Sequence, residues 1–150
     1  MNQQDALKTA FRFFNEVGII QQLSQALFNR RLPDGVHVSH FSVLNHMVRL
    51  GDGETPLQLA SAFQVSKGTM THTLSTLSKR GFVRLAPHET DGRSKVVFIT
   101  DEGRAFQQHA IQSLGPAVAA LSGKLDLYQM AEMIPHLEEI RKVLDDNRDV

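Results

Sequence analysis

Between residues 55 and 100, apolar positions recur first at the spacing of helices and then in short runs typical of strands. Thr55-Pro56 is typical of a helix start, because a hydroxyl can cap free backbone N–H groups and proline suits the first helical position. Met70, Leu74 and Leu77 fall at i, i+4 and i+7, so they predict a second helix with one inward stripe. The pattern predicts two helices joined by a short turn.

The opposite face of this second helix is polar, and no acidic residue occurs from Val65 to Pro87. A helix that faces only water usually carries Glu–Lys pairs. Hydroxyl, imidazole and ammonium groups instead suit phosphates and base edges in a major groove. Helical spacing alone also permits a generic helical pair packed in a bundle. The candidate DNA-binding residues on this helix, with Ser66 also as its cap, are Ser66, Lys67, Thr69, Thr71, His72 and Lys79.

A hairpin is predicted after the two helices. The run from Phe82 to Leu85 is strand-like, and the run from Lys95 to Ile99 is rich in β-branched residues. Between them, Pro87 to Ser94 is a polar loop. A helix-turn-helix followed by a hairpin is a winged helix, and it covers residues of about 55–100.

Several short pieces in this stretch occur in a fixed order: Leu59-Ala60, Val65-Ser66, Thr69, Thr71, Leu77, Gly81-Phe82-Val83, Asp91-Gly92-Arg93 and Thr100-Asp101-Glu102-Gly103. In order and spacing they resemble the DNA-binding part of the multiple-antibiotic-resistance regulator (MarR) family. No single piece is specific, and the match in detail runs from Leu57 to Gly103, about a third of the chain.

The resemblance implies roles for the loop between the strands. Asp91 and Arg93 stand where the family has its Asp-x-Arg wing, in which the aspartate orients the arginine and the arginine enters the minor groove. The family often has arginines just after the Gly-hydrophobic-Val run, where this chain has Leu85 and Ala86. Arg84 is the neighbouring residue that could serve in their place.

Charge supports the same region. The 150 residues suit one domain, residues 1–150, and contain 16 basic and 16 acidic residues. Residues 55–100 hold six basic and two acidic residues, a formal charge of +4, whereas residues 101–150 hold five and nine, a formal charge of −4. A cationic middle is the electrostatic footprint of a nucleic-acid surface, and Lys79 and Lys95 suit phosphate contacts.

Helices are also predicted before the winged helix. From Asp5 to about Arg31, apolar residues recur at helical spacing over an arc wide enough to pack on two partners. Ser39 can cap a second helix, and Gly51 to Gly53 ends it.

Two further helices are predicted after the hairpin. Thr100 can cap a long helix from Asp101 to Gly115 or beyond, and we expect Pro116 to kink this helix without ending it. Ser122 to Lys124 breaks it. The last helix carries apolar residues at intervals of 3, 4, 3 and 4, typical of a coiled-coil seam, although so narrow a stripe also permits packing onto the chain's own core. The seam residues are Met130, Met133, Leu137, Ile140 and Leu144.

These terminal helices suggest a homodimer. A monomeric winged helix does not need them, so we expect residues of about 5–31 and 101–147 to form a dimerisation region, as the resemblance also implies. The fold class is therefore mainly α (α+β). Two recognition helices ~34 Å apart require a pseudo-palindromic operator. The predicted function is sequence-specific DNA binding by a transcriptional regulator, with repression as the usual behaviour of the family.

Other classes of protein find little support. There is no cysteine, which removes disulfides and thiol redox switches. The N-terminus does not resemble a secretory signal and no apolar run approaches membrane-spanning length, so we expect a cytoplasmic protein without a membrane partner. There is no Gly-x-Ser-x-Gly elbow, phosphate-cradling loop or His-Glu-x-x-His pair, so no enzyme and no cofactor is predicted.

Three further hypotheses are an effector ligand, a metal sensor and a helical adaptor. In the family, small aromatic acids or phenols bind between the dimer helices and the winged helix. The candidate lining residues here, although each aromatic among them is better explained as ordinary core, are Phe13, Phe14, Phe41, His46 and Phe106. His37-x-x-His40, joined by His109 and a carboxylate such as Glu102, permits a metal sensor. A helical adaptor without DNA binding is the third alternative.

Overall fold

The computed structural model describes residues 1–150, which form two compact units, residues 1–113 and residues 114–150. The mainly helical fold with one two-stranded sheet agrees with the predicted class. The elements in chain order are α1 (Gln3–Asn29), α2 (Val38–Leu50), α3 (Pro56–Ala62), α4 (Lys67–Lys79), β1 (Val83–Pro87), β2 (Lys95–Ile99), α5 (Asp101–Gln112), α6 (Gly115–Leu121) and α7 (Leu127–Asp146).

The helix pair α3–α4 begins at the two caps that the sequence predicts. Thr55 Oγ1 accepts from the Gln58 N–H at 3.1 Å, and Gln58 Oε1 accepts from the Thr55 N–H at 2.8 Å, which is a reciprocal capping box. Ser66 Oγ accepts from the Thr69 N–H at 3.1 Å. Between the helices, Gln64 adopts a left-handed φ of 53°, which reverses the chain in a short turn.

The inward stripe of α4 is buried as predicted. Met70, Leu74 and Leu77 join one apolar cluster to which α2, α3 and both strands contribute. Burying a side chain of this size stabilises the fold by about 1.5–3 kcal/mol, so the cluster fixes the rotation of α4 about its axis. Its buried members are Val43, Leu44, Met47, Leu59, Ala60, Met70, Leu74, Leu77, Val83, Val97 and Ile99.

The hairpin is antiparallel, with Val83 opposite Ile99 and Pro87 opposite Lys95. The second strand matches its prediction, but the first begins one residue later than expected. Phe82 is used by the helix before it. Its N–H donates to the Leu77 carbonyl at 2.9 Å, and Gly81, with φ 74°, closes α4 as predicted.

The outer edge of β2 is also paired, which the sequence analysis did not foresee. The Gly53 N–H donates to the Val97 carbonyl at 2.8 Å, and the Val97 N–H donates to the Glu54 carbonyl at 2.9 Å. The Asp52 carboxylate accepts from the Ile99 N–H at 2.9 Å. Residues that were expected only to end α2 therefore hold the base of the wing.

The first turn of α5 lies directly against the end of α4. Thr100 Oγ1 accepts from the Gly103 N–H at 3.0 Å and donates to the Gly81 carbonyl at 2.6 Å. A Cβ at Gly103 would lie 2.1 Å from the Phe82 carbonyl oxygen. The Thr-x-x-Gly spacing thus places a capping threonine three residues before a glycine. Only a residue without a Cβ lets α5 come this close to the Phe82 carbonyl.

The predicted cap of α2 is wrong. The helix begins at Val38, so the N-cap is His37 and not Ser39. The cause is His40. Its Nδ1 accepts from the backbone N–H of His37 at 2.9 Å, so the helix can begin two residues before the position predicted from Ser39.

The predicted continuation of α5 through Pro116 is also wrong. A proline ring collides with the carbonyl four residues earlier, which here belongs to Gln112, and α5 ends at Gln112. Pro116 instead occupies the first turn of α6, where the absence of an N–H costs nothing.

The second unit consists of α6 and α7, with the break between them near the predicted Ser122 to Lys124. Asp126 caps α7 by accepting from the N–H groups of Tyr128 and Gln129 at 3.0 and 3.1 Å. None of the residues of α7 is buried, and the helix runs through Pro135. None of the helices combines the length and the apolar character that crossing a bilayer requires.

Replacing Gly103 by alanine should destabilise the first unit by about 3 kcal/mol or more, because α5 must move away from the Phe82 carbonyl. Urea unfolding followed by circular dichroism measures the change. The control is Gly115→Ala, where no atom lies within 4 Å of the new Cβ and little change is expected. Equal stabilities of the two variants would contradict the close packing of α5.

Candidate nucleic-acid interface

The outer face of α4 is available to a partner. The Thr71 hydroxyl donates to the Lys67 carbonyl at 2.9 Å, so its oxygen remains an acceptor towards solvent. The Ser66 hydroxyl donates to Thr69 Oγ1 at 2.9 Å while it caps the helix. The six residues that the sequence analysis singled out here are all exposed, namely Ser66, Lys67, Thr69, Thr71, His72 and Lys79.

A groove lies between the start of α4 and the wing. Three cations border this groove of about 340 Å³: Lys67 from α4, Arg93 from the wing loop and Lys95 from the start of β2. Thr71 and Leu85 also line it. No salt bridge ties down the three cations, so a concave surface with concentrated positive charge faces solvent.

A second groove of about 380 Å³ lies along α4. Lys79, Ser75 and Ser78 line it, and it shares Thr71 and Leu85 with the first groove. The fold therefore brings Lys67, Thr71, Arg93 and Lys95 around one groove, and Lys79 to the adjoining one. Three other predicted residues lie outside both grooves: Thr69 and His72 on α4, and Ser66 at its N-cap.

The wing loop is organised by the Asp91 carboxylate. Its Oδ1 accepts from the Arg93 N–H at 3.0 Å, and its Oδ2 accepts from the Ser94 hydroxyl at 3.3 Å. At the other side of the loop, His88 Nδ1 accepts from the Thr90 N–H at 3.2 Å. Asp91 therefore orients the backbone that carries Arg93 and does not hold the guanidinium itself.

The expectation that Arg84 replaces the missing arginines is not supported. Adjacent strand residues point to opposite faces, and Leu85 is the one that lines both grooves. Arg84 instead lies over the Phe98 ring, with 4.5 Å from its guanidinium carbon to the ring centre. In the sequence, Leu85 stands out only as a departure from the family pattern. An apolar residue in a predicted strand does not indicate which surface it faces.

The five candidate effector residues have different surroundings. Phe13 and Phe14 are partly exposed on α1, with ring centres 5.4 Å apart. Phe41 packs on Phe28, and Phe106 stacks on Phe82, in both cases as ordinary core contacts. His46 Nε2 lies 2.7 Å from Glu54 Oε1 and links α2 to the edge of the wing.

The histidines of the metal-sensor alternative do not form a centre. Nowhere in residues 1–150 does a group of three or more His, Asp or Glu side chains have a geometry that could hold a metal ion. His40 Nδ1 is already used by the backbone N–H of His37. The set of His37, His40, His109 and Glu102 is therefore not brought together.

Known proteins share this sequence pattern. Residues 34–94 match the model of the MarR family. An HTH-type transcriptional regulator of Mycobacterium bovis is 33% identical over 84 residues, which are 56% of this chain and 58% of that relative. The chain thus spans less than two thirds of the length of the curated relative it matches.

Solved structures share the fold. The transcriptional regulator BldR from Sulfolobus solfataricus superposes with a TM-score of 0.73 at 23% identity, over 97% of this chain and 99% of that chain. A mutant of Escherichia coli MarR complexed with operator DNA gives 0.67 at 23% identity, over 93% and 99%. The PcaV regulator from Streptomyces coelicolor in complex with its natural ligand gives 0.64 at 21% identity, over 86% and 89%.

Replacing Ser66 by alanine should destabilise the protein by about 1 kcal/mol, because the Thr69 N–H loses its acceptor at the start of α4. Chemical unfolding measures the loss. Ser78→Ala is the matched control, since this serine lies inside the same helix and caps nothing. A Ser66→Ala variant as stable as the control would argue against the cap.

Proposed function

Since its winged-helix part belongs to the MarR family of transcriptional regulators, which are not enzymes, we propose that this chain binds double-stranded DNA sequence-specifically as a homodimer. One observation carries the proposal: Lys67, Arg93 and Lys95 border a single groove between α4 and the wing. Three cations held on separate elements match the spaced charges of a phosphate backbone. The regulator would act in the cytoplasm, where it meets DNA.

In this proposal α4 lies in the major groove. Thr69, Thr71 and His72 would face base edges or flanking phosphates, and the Thr71 oxygen would accept from a base amino group. Lys67, Lys79 and Lys95 would neutralise phosphates and set the register without reading sequence. Ser66 would cap the helix and touch a phosphate.

The wing would contribute the minor-groove contact. Arg93 is exposed at the loop, on a backbone that the Asp91 carboxylate holds. A narrow minor groove attracts an arginine through its negative potential. Leu85, between the two grooves, would add an apolar contact where relatives often have a cation.

Homodimerisation is supported by the apolar side chains that the chain leaves uncovered. No residue of α1 or α7 is buried. Phe11 on α1 is 72% exposed, and four of the five seam residues of α7 are about half exposed, with Met133 at 50% and Leu137 at 44%, while Ile140 is partly buried. Apolar helix faces of this extent are typical of an interface, so a two-fold pairing of Met130, Met133, Leu137, Ile140 and Leu144 and of α1 is proposed.

Repression with release by a small aromatic acid or phenol completes the proposal. It is supported by the family and by the ligand-bound PcaV neighbour. A ligand can release DNA only if it binds better to the dimer form that does not fit the operator. Phe13, Phe14, Phe41, His46 and Phe106 stay the candidates for its pocket. A helical adaptor without DNA binding is the alternative that the following experiment tests.

Arg93→Ala and Lys67→Ala should each weaken binding to DNA from beside the chain's own gene by about 1–3 kcal/mol, because each removes a cation of the groove. Fluorescence anisotropy titrated with salt measures the affinity. The affinity of each variant should also depend less steeply on salt: the slope of log affinity against log salt should become less negative by about one.

The control for this experiment is Lys124→Ala, which removes one charge from the turn between α6 and α7. It should leave affinity and salt slope close to wild type. Binding that is absent, indifferent to sequence, or equally affected by all three variants would reject DNA reading by this groove and favour the adaptor.

Leu137→Asp should convert the dimer into monomer at micromolar concentration, because a buried unpaired carboxylate opposes the packing of two α7 helices. Sedimentation equilibrium measures the mass. Lys142→Asp places the same residue on the opposite side of α7, given 100° per residue, and should stay dimeric. A dimeric Leu137→Asp variant would show that α7 is not the seam.

A further inference from the structure

The C-terminal end of α4 is tied to the loop between α1 and α2. The Arg80 guanidinium donates to the backbone carbonyl of Asp34. Gly35 has a φ of +80°, and a Cβ there would lie 3.0 Å from Arg80 Nη2. The loop is anchored on both sides by the buried Leu32 and Val36. Arg80 therefore binds a loop that is held in place by buried side chains on both sides.

This loop also belongs to the end of α1. The Phe28 and Phe41 rings pack at 4.7 Å between α1 and α2, and Asn29 Oδ1 accepts from the Val38 N–H at 2.8 Å. A displacement of the end of α1 would thus reach the end of α4 through Arg80. In the proposed function these are a dimerisation helix and the DNA-reading helix.

A buried imidazole lies at the same junction. His40, in the first turn of α2, is 7% exposed, and its ring stacks on His37 with 5.7 Å between centres. Its Nδ1 accepts from the His37 N–H, so the neutral ring carries its proton on Nε2. A second proton would occupy Nδ1 and break this bond at the start of α2.

The surroundings of His40 oppose that second proton. Burial lowers the pKa of His40, and the cationic charges of His37, His72 and Arg80 lower it further. None of the groups that shift this pKa is a carboxylate, and Asp34 meets Arg80 through its backbone carbonyl. The neutral form therefore stabilises the fold above the unfolded value of 6.5, and that contribution is lost as the pH falls below it.

We propose that Arg80 is a positioning residue of the DNA-reading helix, and that protonation of the imidazole beside it weakens operator binding in acid. The charged ring repels Arg80, directly after α4, and His72 within it, and weakens the hold of the loop on the helix. The proposal rests on the proposed function, whose site it regulates. The sign of the effect is diagnostic, because added positive charge on a DNA-facing surface by itself strengthens DNA binding.

The first test compares wild type with His40→Gln at about pH 7.5 and at an acidic pH below the pKa of His40, which proton NMR locates first because that pKa lies below the ordinary histidine value. Glutamine keeps an acceptor for the His37 N–H, as in a capping box, but does not titrate. Operator affinity of the wild type should fall about fivefold or more in acid, and that of His40→Gln should stay level or rise. Circular dichroism at both pH values verifies that each protein is folded.

The second test addresses Arg80. Arg80→Ala should weaken binding about fivefold at about pH 7.5 and abolish most of the acid response, and Arg80→Lys should restore part of both, since lysine keeps a charge and a donor. Asp34→Asn is the matched control and should bind like wild type, because the contact is made by the backbone carbonyl. Equal effects of Ala and Lys at position 80 would overturn the positioning role.

A measurement without DNA separates the two proposals. The proton NMR titration of His40 should move to higher pH in Arg80→Ala, because one cationic neighbour is removed. An unmoved titration overturns the junction. Wild type that binds no operator at about pH 7.5 overturns the proposed function, and with it the regulatory role. Wild type that binds at neutral pH but binds equally well or better in acid overturns the inference alone.

Discussion

The rotation of α4 about its own axis is the constraint on which the candidate interface depends. Met70, Leu74 and Leu77 are buried in one cluster with side chains of α2, α3 and the hairpin. Because these three residues must face inward, Lys67 and Thr71 face the wing. The same cluster holds Val97 of β2, so one body of apolar side chains positions both the helix and the strand that flank the groove.

Hydrogen bonds hold the wing at its base and at its tip. Its base is held by residues 52–54 along the outer edge of β2 and by the Asp52 carboxylate. Its tip is held by Asp91, which leaves the Arg93 guanidinium free of any ion pair within the chain. The Arg93 guanidinium can therefore bind a partner without first breaking an ion pair within the chain, while the backbone that carries it is already ordered.

The junction at Arg80 and the caps of α4 show how the two ends of the helix differ. The N-terminal end is stabilised locally by Ser66, one residue before the helix. The C-terminal end is held from a distance by a loop 46 residues earlier in the chain. A contact between residues far apart in the chain, such as that of Arg80 with Asp34, can transmit a displacement from another part of the unit. The buried His40 lies near this contact, at the start of α2.

The sequence determined whatever depends on neighbours a few residues apart. Helical spacing predicted α4, and hydroxyl residues predicted the caps at Thr55, Ser66 and Thr100, because those bonds close within one turn. Where two local signals competed, as for Ser39 or at Pro116, the sequence did not show which would prevail. The tertiary structure alone decided which surface each residue shares: that Leu85 lines the groove while Arg84 stacks on Phe98, and that Arg80 reaches Asp34. Such contacts join residues far apart in the chain, and no periodicity records them.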